Sequence, residues 1–231
     1  MMPDNVSALD LVLMGDPALL AIVRLSLIVS LSAVACAALV GVPGGALIAL
    51  TRFPGRQGVI VVMNALMGLP PVVVGLCIYL VLSRSGPLGS WGILFTPQAM
   101  ITAQTILVAP IIAALTRQTV EDLWVEYRDE LDAMNIGPAG RVATLIWDAR
   151  FSLVTTLLAG FGRAAAEVGA IIVVGGNIDG FTRTMTTAIA LETTKGDLPL
   201  AVGLGMVLIA IVVAINALAW ATRRAGERLT G

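Results

Sequence analysis

Apolar residues gather into five long runs: Leu25–Leu50, Val59–Leu82, Gln98–Thr116, Phe151–Val174 and Leu198–Thr222. Each approaches the ~20 residues that carry an α-helix across a ~30 Å hydrocarbon core. Neither an internal repeat nor a low-complexity linker divides them. The pattern predicts an all-α membrane protein, one polytopic domain over residues 1–231 with about five transmembrane helices. Two longer polar intervals remain, 117–150 between the third and fourth runs and 175–197 between the fourth and fifth. Ahead of the first run, Leu9–Met14 is too short to span and predicts a short interfacial segment or a helix lying outside the membrane.

The first interval is itself patterned. Leu123, Tyr127, Leu131 and Met134 share one helical face, and Val142, Leu145, Ile146 and Ala149 share another. Between them "NIGP" breaks the period: Gly137 suits a helix end and Pro138 the first turn of the next helix. Two short amphipathic helices joined by a sharp turn are predicted. They read either as a solvated loop resting on the membrane surface or as a docking element that transmits force to both adjoining spans. In the second interval, Met185, Ala188, Ile189 and Glu192 predict one face of a short helix at the membrane surface.

Composition fixes the solvent. The chain is 58% hydrophobic and 13% charged, with a mean hydropathy of +0.94, against about 25% charged in soluble domains. Basic residues fix a direction. With the carboxy terminus in the cytoplasm, Arg52, Arg56, Arg117, Arg128, Arg141, Arg150, Arg223, Arg224 and Arg228 lie inside. Arg84, Arg183 and Lys195 lie outside, nine against three. The amino terminus is then external, 117–150 cytoplasmic and 175–197 external.

Small residues recur at close-packing spacing in Gly41 and Gly45, and in Gly162, Ala166 and Ala170. Pro43 and the Pro70–Pro71 pair in "MGLPPVVVGL" interrupt helical hydrogen bonding; Pro43 predicts an ordinary kink and the double proline the border of a pathway. Arg163 and Glu167, four apart on the fourth run, stack on one helical face. Charges in a bilayer face a partner or an aqueous cavity, so the two either pair or line a path.

Several chemistries are excluded. The chain has no histidine, which removes Ser-His-Asp triads, HExxH zinc sites and histidine proton relays. Cys36 and Cys77 lie within apolar runs and read as small buried hydrophobes. A net charge of −1 offers nothing to nucleic acid. No GxxxxGK[ST] loop is present, so any nucleotide hydrolysis resides on another subunit. No catalytic residue and no metal ligand set is expected.

The interval 126–150 resembles the cytoplasmic loop of the membrane subunits of ATP-binding-cassette (ABC) importers. In those subunits Glu-Ala-Ala, three residues, Gly, nine residues and Ile-x-Leu-Pro follow in order. Anchored on Gly137, the first three places hold Leu131, Asp132 and Ala133, with Glu130 displaced by one. Trp147-Asp148-Ala149-Arg150 replaces the closing motif. "LPPVVVGL" at 69–76 and "AEVGAIIVVGGNIDGFTRTMTTAIALET" at 166–193 are similar to molybdate and tungstate permeases, the second especially to the tungstate branch. The "DAR" ending of the loop fits that branch as well.

The resemblance implies a type I importer permease in a prokaryotic plasma membrane. Two copies would form a gated conduit for a tetrahedral oxyanion, tungstate first and molybdate or sulfate as alternatives. An external solute-binding protein would deliver the anion, and a cytoplasmic ATPase dimer would use ATP and Mg; this chain would bind no cofactor. Glu130, Asp132, Ala133, Gly137 and Pro138 fall in the ATPase-coupling loop. Pro70, Pro71, Arg163, Glu167 and Gly169 are pathway or gate candidates. Asn177, Gly180, Thr182 and Arg183 match the oxyanion-permease pattern of the external segment. A different class, a proton-coupled carrier titrating Glu167, is disfavoured by the absence of other acidic residues within the runs.

Overall fold

A computed structural model describes residues 17–230, and within them every regular element is helical. The segment Leu9–Met14 lies outside the described residues. Helix α1 (Pro17–Leu50) begins eight residues before the predicted run and so includes Arg24. Pro43 sits inside it without ending it. Then come α2 (Arg56–Met67), α3 (Pro71–Leu82), a 3₁₀ turn (Gly89–Trp91), α4 (Pro97–Ala133), α5 (Pro138–Asp148), α6 (Arg150–Ala165), α7 (Gly169–Gly175), α8 (Met185–Lys195) and α9 (Leu198–Thr230). Three of these, α1, α4 and α9, are long and apolar enough to cross a bilayer alone.

The other two predicted spans are broken. Val59–Leu82 divides at Gly68–Pro70 into α2 and α3, bent by 99°. Two adjacent prolines withhold two backbone donors, and Pro71 starts α3 at the position where its missing N–H costs nothing. Phe151–Val174 divides at residues 166–168 into α6 and α7, although "AEV" carries no helix breaker.

The centre of the bundle is the crossing of α1 and α4. A Cβ on Gly41 would sit 3.0 Å from Ile112 Cγ2 and 3.1 Å from the Ala109 carbonyl oxygen. A Cβ on Gly45 would press into the Ala113 carbonyl oxygen and lie 3.0 Å from Arg117 N. The predicted small-residue pair is thus where the two backbones approach. Val34, Ala37, Val108, Ile112, Phe161 and Ala164 close the core between α1, α4 and α6. Cys36 and Cys77, expected to be buried, are exposed on helix surfaces; in an apolar solvent a small thiol needs no interior.

Candidate functional site

The two helix breaks meet. A Cβ on Gly169 would lie 2.6 Å from Val72 Cγ2, and one on Gly75 would lie 2.9 Å from Ala170 Cα. Only glycine at these positions lets the start of α3 lie against the start of α7. Glu167, 3% exposed, sits in the α6–α7 break. Its carboxylate accepts from Arg163 at 2.5 Å and from the Ala170 N–H at 3.1 Å. The carboxylate thereby ties the last turn of α6 to the first turn of α7, where the exposed backbone donors favour a negative charge. Its own carbonyl accepts from the Thr186 hydroxyl at 2.8 Å.

A third contact at the break comes from Gln104 of α4, whose amide donates to the Ala164 carbonyl at 2.9 Å. Gln104 is 1% exposed and its Oε1 has no hydrogen-bond partner among the described residues. Ser26, Ser30, Gln104, Thr184 and Thr186 border a cavity of about 10 Å³ beside it, room for one water. The α6–α7 break is therefore an open turn whose freed carbonyls are answered from α4 and α8.

Arg163 keeps 30% of its side chain exposed while Glu167 keeps 4%. The arginine continues an α6 stripe of Ser152, Thr155, Ala159 and Gly162, at helical spacing and without bulky apolar side chains. Ser152, Thr155 and Ala159 form one wall of a 320 Å³ groove, with Gln118 and Asp122 of α4 opposite. Beside exposed leucines and valines such as Leu39, Val40, Val61 and Leu80 on other helices, this face is suited to water.

At the α5 end, charged residues lock the helices together. Arg56 donates to the Ile48 carbonyl at 2.8 Å and pairs with Glu121, which also pairs with Arg117. Arg141 of α5 donates to the Ile136 carbonyl at 2.7 Å and pairs with Asp132 at 2.8 Å. Its guanidinium lies 5.3 Å from the Trp124 ring centroid. Beneath them Ala46, Ala49, Val120, Leu131 and Leu145 are buried. Outward, the turn exposes Met134, 71%, and Trp147, 68%, together with Glu130, Ala133, Gly137 and Pro138.

No protein-family model matches the sequence. Individual relatives do. A probable anion ABC transporter permease protein of Haloferax volcanii is 44% identical, over 87% of this chain and 88% of its own. The tungstate uptake system permease protein TupB of Peptoclostridium acidaminophilum is 38% identical over 91% and 92% of the two chains. TupB of Campylobacter jejuni is 38% identical over 71% and 69%. The chain belongs to the ABC transporter permease family.

Several residues of this permease lie elsewhere than its sequence predicted. The polar interval holds one separate short helix, not two. Leu123–Ala133 continues α4 without interruption, because no glycine or proline interrupts "DLWVEYRDELDA". The turn is made by Asn135, at φ +54°, whereas Gly137 is extended at φ −68° and serves as the N-cap of α5. Pro138 does open α5. Asp132, itself exposed, is held by Arg141 and Arg128, whereas the exposed Glu130 has no ion pair among the described residues.

The 175–197 segment is not a surface loop with a helix laid on it. Met185, Ala188 and Glu192 are buried, as are Thr186 and Thr187, and α8 packs through Met185 and Ala188 on Leu204 of α9 and Leu19 of α1. The Met185 N–H donates to Ser26 Oγ at 2.7 Å, so α8 starts deep in the bundle. Thr182, a predicted docking residue, is wholly buried; it accepts from the Ile178 N–H and donates to the Gly175 carbonyl. It fastens the α7–α8 loop and cannot meet a partner. Arg183 pairs with Asp179 at 3.0 Å. Asn177 and Gly180 supply left-handed turns, at φ +49° and +68°. Gly180 is exposed, and Pro70, Pro71 and Gly169 border the paired breaks. The sequence reading missed Gln104, Arg141, Glu121 and Asn135. For Gln104 and Glu121 the signal was available, a polar side chain within or just beyond an apolar helix.

Proposed function

We propose that this permease is the membrane subunit of an ATP-driven importer of a tetrahedral oxyanion, with tungstate as its substrate. The observation that carries the substrate is the 38% identity to a tungstate uptake permease over 91% of the chain. Two copies face each other across the α6 stripe and the paired breaks of α3 and α7, and the water-filled conduit runs between them. The chain binds no nucleotide and performs no chemistry. A cytoplasmic ATPase dimer, using ATP and Mg, docks on the exposed turn around Glu130, Ala133, Met134, Gly137, Pro138 and Trp147. Because Arg141 and Asp132 join α5 to α4, and α5 runs into α6 at a 73° bend, movement of α5 by the ATPase turns α6 and shifts the α6–α7 break. The α5 end is cytoplasmic and the opposite end faces the external binding protein, in a prokaryotic plasma membrane.

Tungstate and molybdate share charge, shape and acceptors, so a pathway that must release what it admits has little differential contact to separate them. Selection then belongs to the binding protein. In vesicles holding the permease and its ATPase, ATP hydrolysis rises with tungstate-loaded binding protein and barely responds to free tungstate. Equal stimulation by the free anion would overturn delivery by a partner.

A further inference from the structure

The three basic residues of the external loops have different fates. Arg183 is held by Asp179 at 3.0 Å and Lys195 by Glu192 at 2.9 Å. Arg84 is exposed and has no ion pair or hydrogen bond among the described residues. It lies on a pocket of about 620 Å³ formed by the end of α3 and the loop that follows, with Tyr79, Ser83, Ser85, Gly89 and Phe95 around it and no carboxylate in its lining. The volume equals roughly twenty waters at ~30 Å³ each, enough for a partly hydrated oxyanion.

The pocket is preformed. The Gly86 N–H donates to the Ser83 carbonyl at 2.8 Å, and the Leu88 N–H to the Val81 carbonyl at 3.0 Å. A Cβ on Gly86 would strike the Leu80 and Val81 carbonyls, and one on Gly89 the Ser83 carbonyl. Phe95 is held at φ +62°, a conformation that costs a bulky residue free energy and needs surrounding structure to impose it. Its N–H donates to the Val174 carbonyl at 2.9 Å, and its ring stands over Gly176 and 6.1 Å from Tyr79. One wall of the pocket is thus fixed to the end of α7 and another is the end of α3. Those two helices begin at the paired breaks.

We propose that this pocket is the entry station of the permease, where the Arg84 guanidinium and the neighbouring Ser85 hydroxyl receive a tetrahedral oxyanion before it enters the conduit between the two copies. This rests on the importer reading and on its orientation. Ser83 gives its hydroxyl proton to the Leu80 carbonyl at 3.0 Å, so one unpaired guanidinium with a single neutral hydroxyl beside it gives a site that fills and empties easily, as a conduit requires. A lipid phosphate has the same chemistry, and the two sources are separable.

The test places a cysteine at Ser90, exposed and next to Gly89 of the pocket, in the full transporter lacking Cys36 and Cys77, reconstituted in phosphatidylcholine vesicles. An impermeant maleimide is added from outside with and without sodium tungstate. Tungstate slows labelling, and Arg84→Gln weakens that protection about tenfold in tungstate concentration, the equivalent of one charge-assisted hydrogen bond. Arg84→Lys retains part of it. Labelling indifferent to tungstate in the Arg84-containing protein overturns the entry station. So does protection that follows added phosphatidylglycerol instead of tungstate, which assigns the pocket to lipid. ATP-driven uptake by the same vesicles with binding protein reports separately on the importer reading: uptake with unprotected Ser90→Cys sinks only the pocket, whereas no uptake by unmodified permease sinks the function.

Discussion

Glu167 does two separable things, and its substitutions should separate them. Glu167→Ala removes the acceptor of the Ala170 N–H and leaves Arg163 without its partner, inside a bundle where water is scarce. Breaking a buried ion pair from one side costs about 3–5 kcal/mol; because 30% of the Arg163 side chain is exposed, the lower end applies. Glu167→Gln keeps an oxygen for Ala170 and loses the charge, so its cost is that of a charge-assisted hydrogen bond, about 1.5–3 kcal/mol. Arg163→Met with Glu167→Gln closes a double-mutant cycle. At 2.5 Å the two groups should couple by more than ~1 kcal/mol, within the range for residues in contact. Detergent-to-SDS titration followed by far-ultraviolet circular dichroism measures each variant. Equal losses for Glu167→Ala and Glu167→Gln, with a coupling below ~0.5 kcal/mol, would show that the carboxylate neither caps α7 nor holds Arg163.

Other expectations follow from single contacts. Gly45→Val should destabilise by at least the ~1–3 kcal/mol of overpacking, because the Ala113 carbonyl blocks the new side chain; Gly44→Ala, with open space around it, should be nearly neutral in the same titration. Asn135→Val forces a β-branched residue to φ +54° and should cost about 1–2 kcal/mol and weaken retention of the ATPase on affinity purification, whereas Gly137→Ala should change neither. Cysteines at Ser90 and Lys195, in a background without Cys36 and Cys77, should react with an impermeant reagent from outside, and those at Gln57 and Ala139 only after the membrane is opened. The reverse labelling would invert the orientation.

What the sequence made legible was what local chemistry decides. Apolar length marked α1, α4 and α9, the Gly41–Gly45 pair marked the α1–α4 contact, and the double proline marked the break between α2 and α3. The break between α6 and α7 has no local cause. "AEV" would continue a helix, and it opens because Gln104 and Thr186, both distant in sequence, donate to the Ala164 and Glu167 carbonyls, and the Glu167 carboxylate, held by Arg163, accepts from the Ala170 N–H. The burial of α8 was hidden for a related reason. A run of threonines reads as surface, yet Thr184 and Thr187 cap each other and Thr186 bonds to Glu167, so their hydroxyls can be buried at little cost. At the turn after α4, glycine was the expected helix terminator, and Asn135 took the left-handed position instead, two residues earlier.

The central claim is that this chain is a passive half-conduit driven by a partner's ATP hydrolysis. It is tested most directly by tungstate accumulation in sealed vesicles containing the permease and its ATPase, with ATP trapped inside and loaded binding protein outside. Accumulation should require both ATP and binding protein and should be indifferent to an imposed proton gradient. Accumulation driven by a proton gradient without ATP, and abolished in Glu167→Gln, would contradict the account and make the protein a proton-coupled carrier.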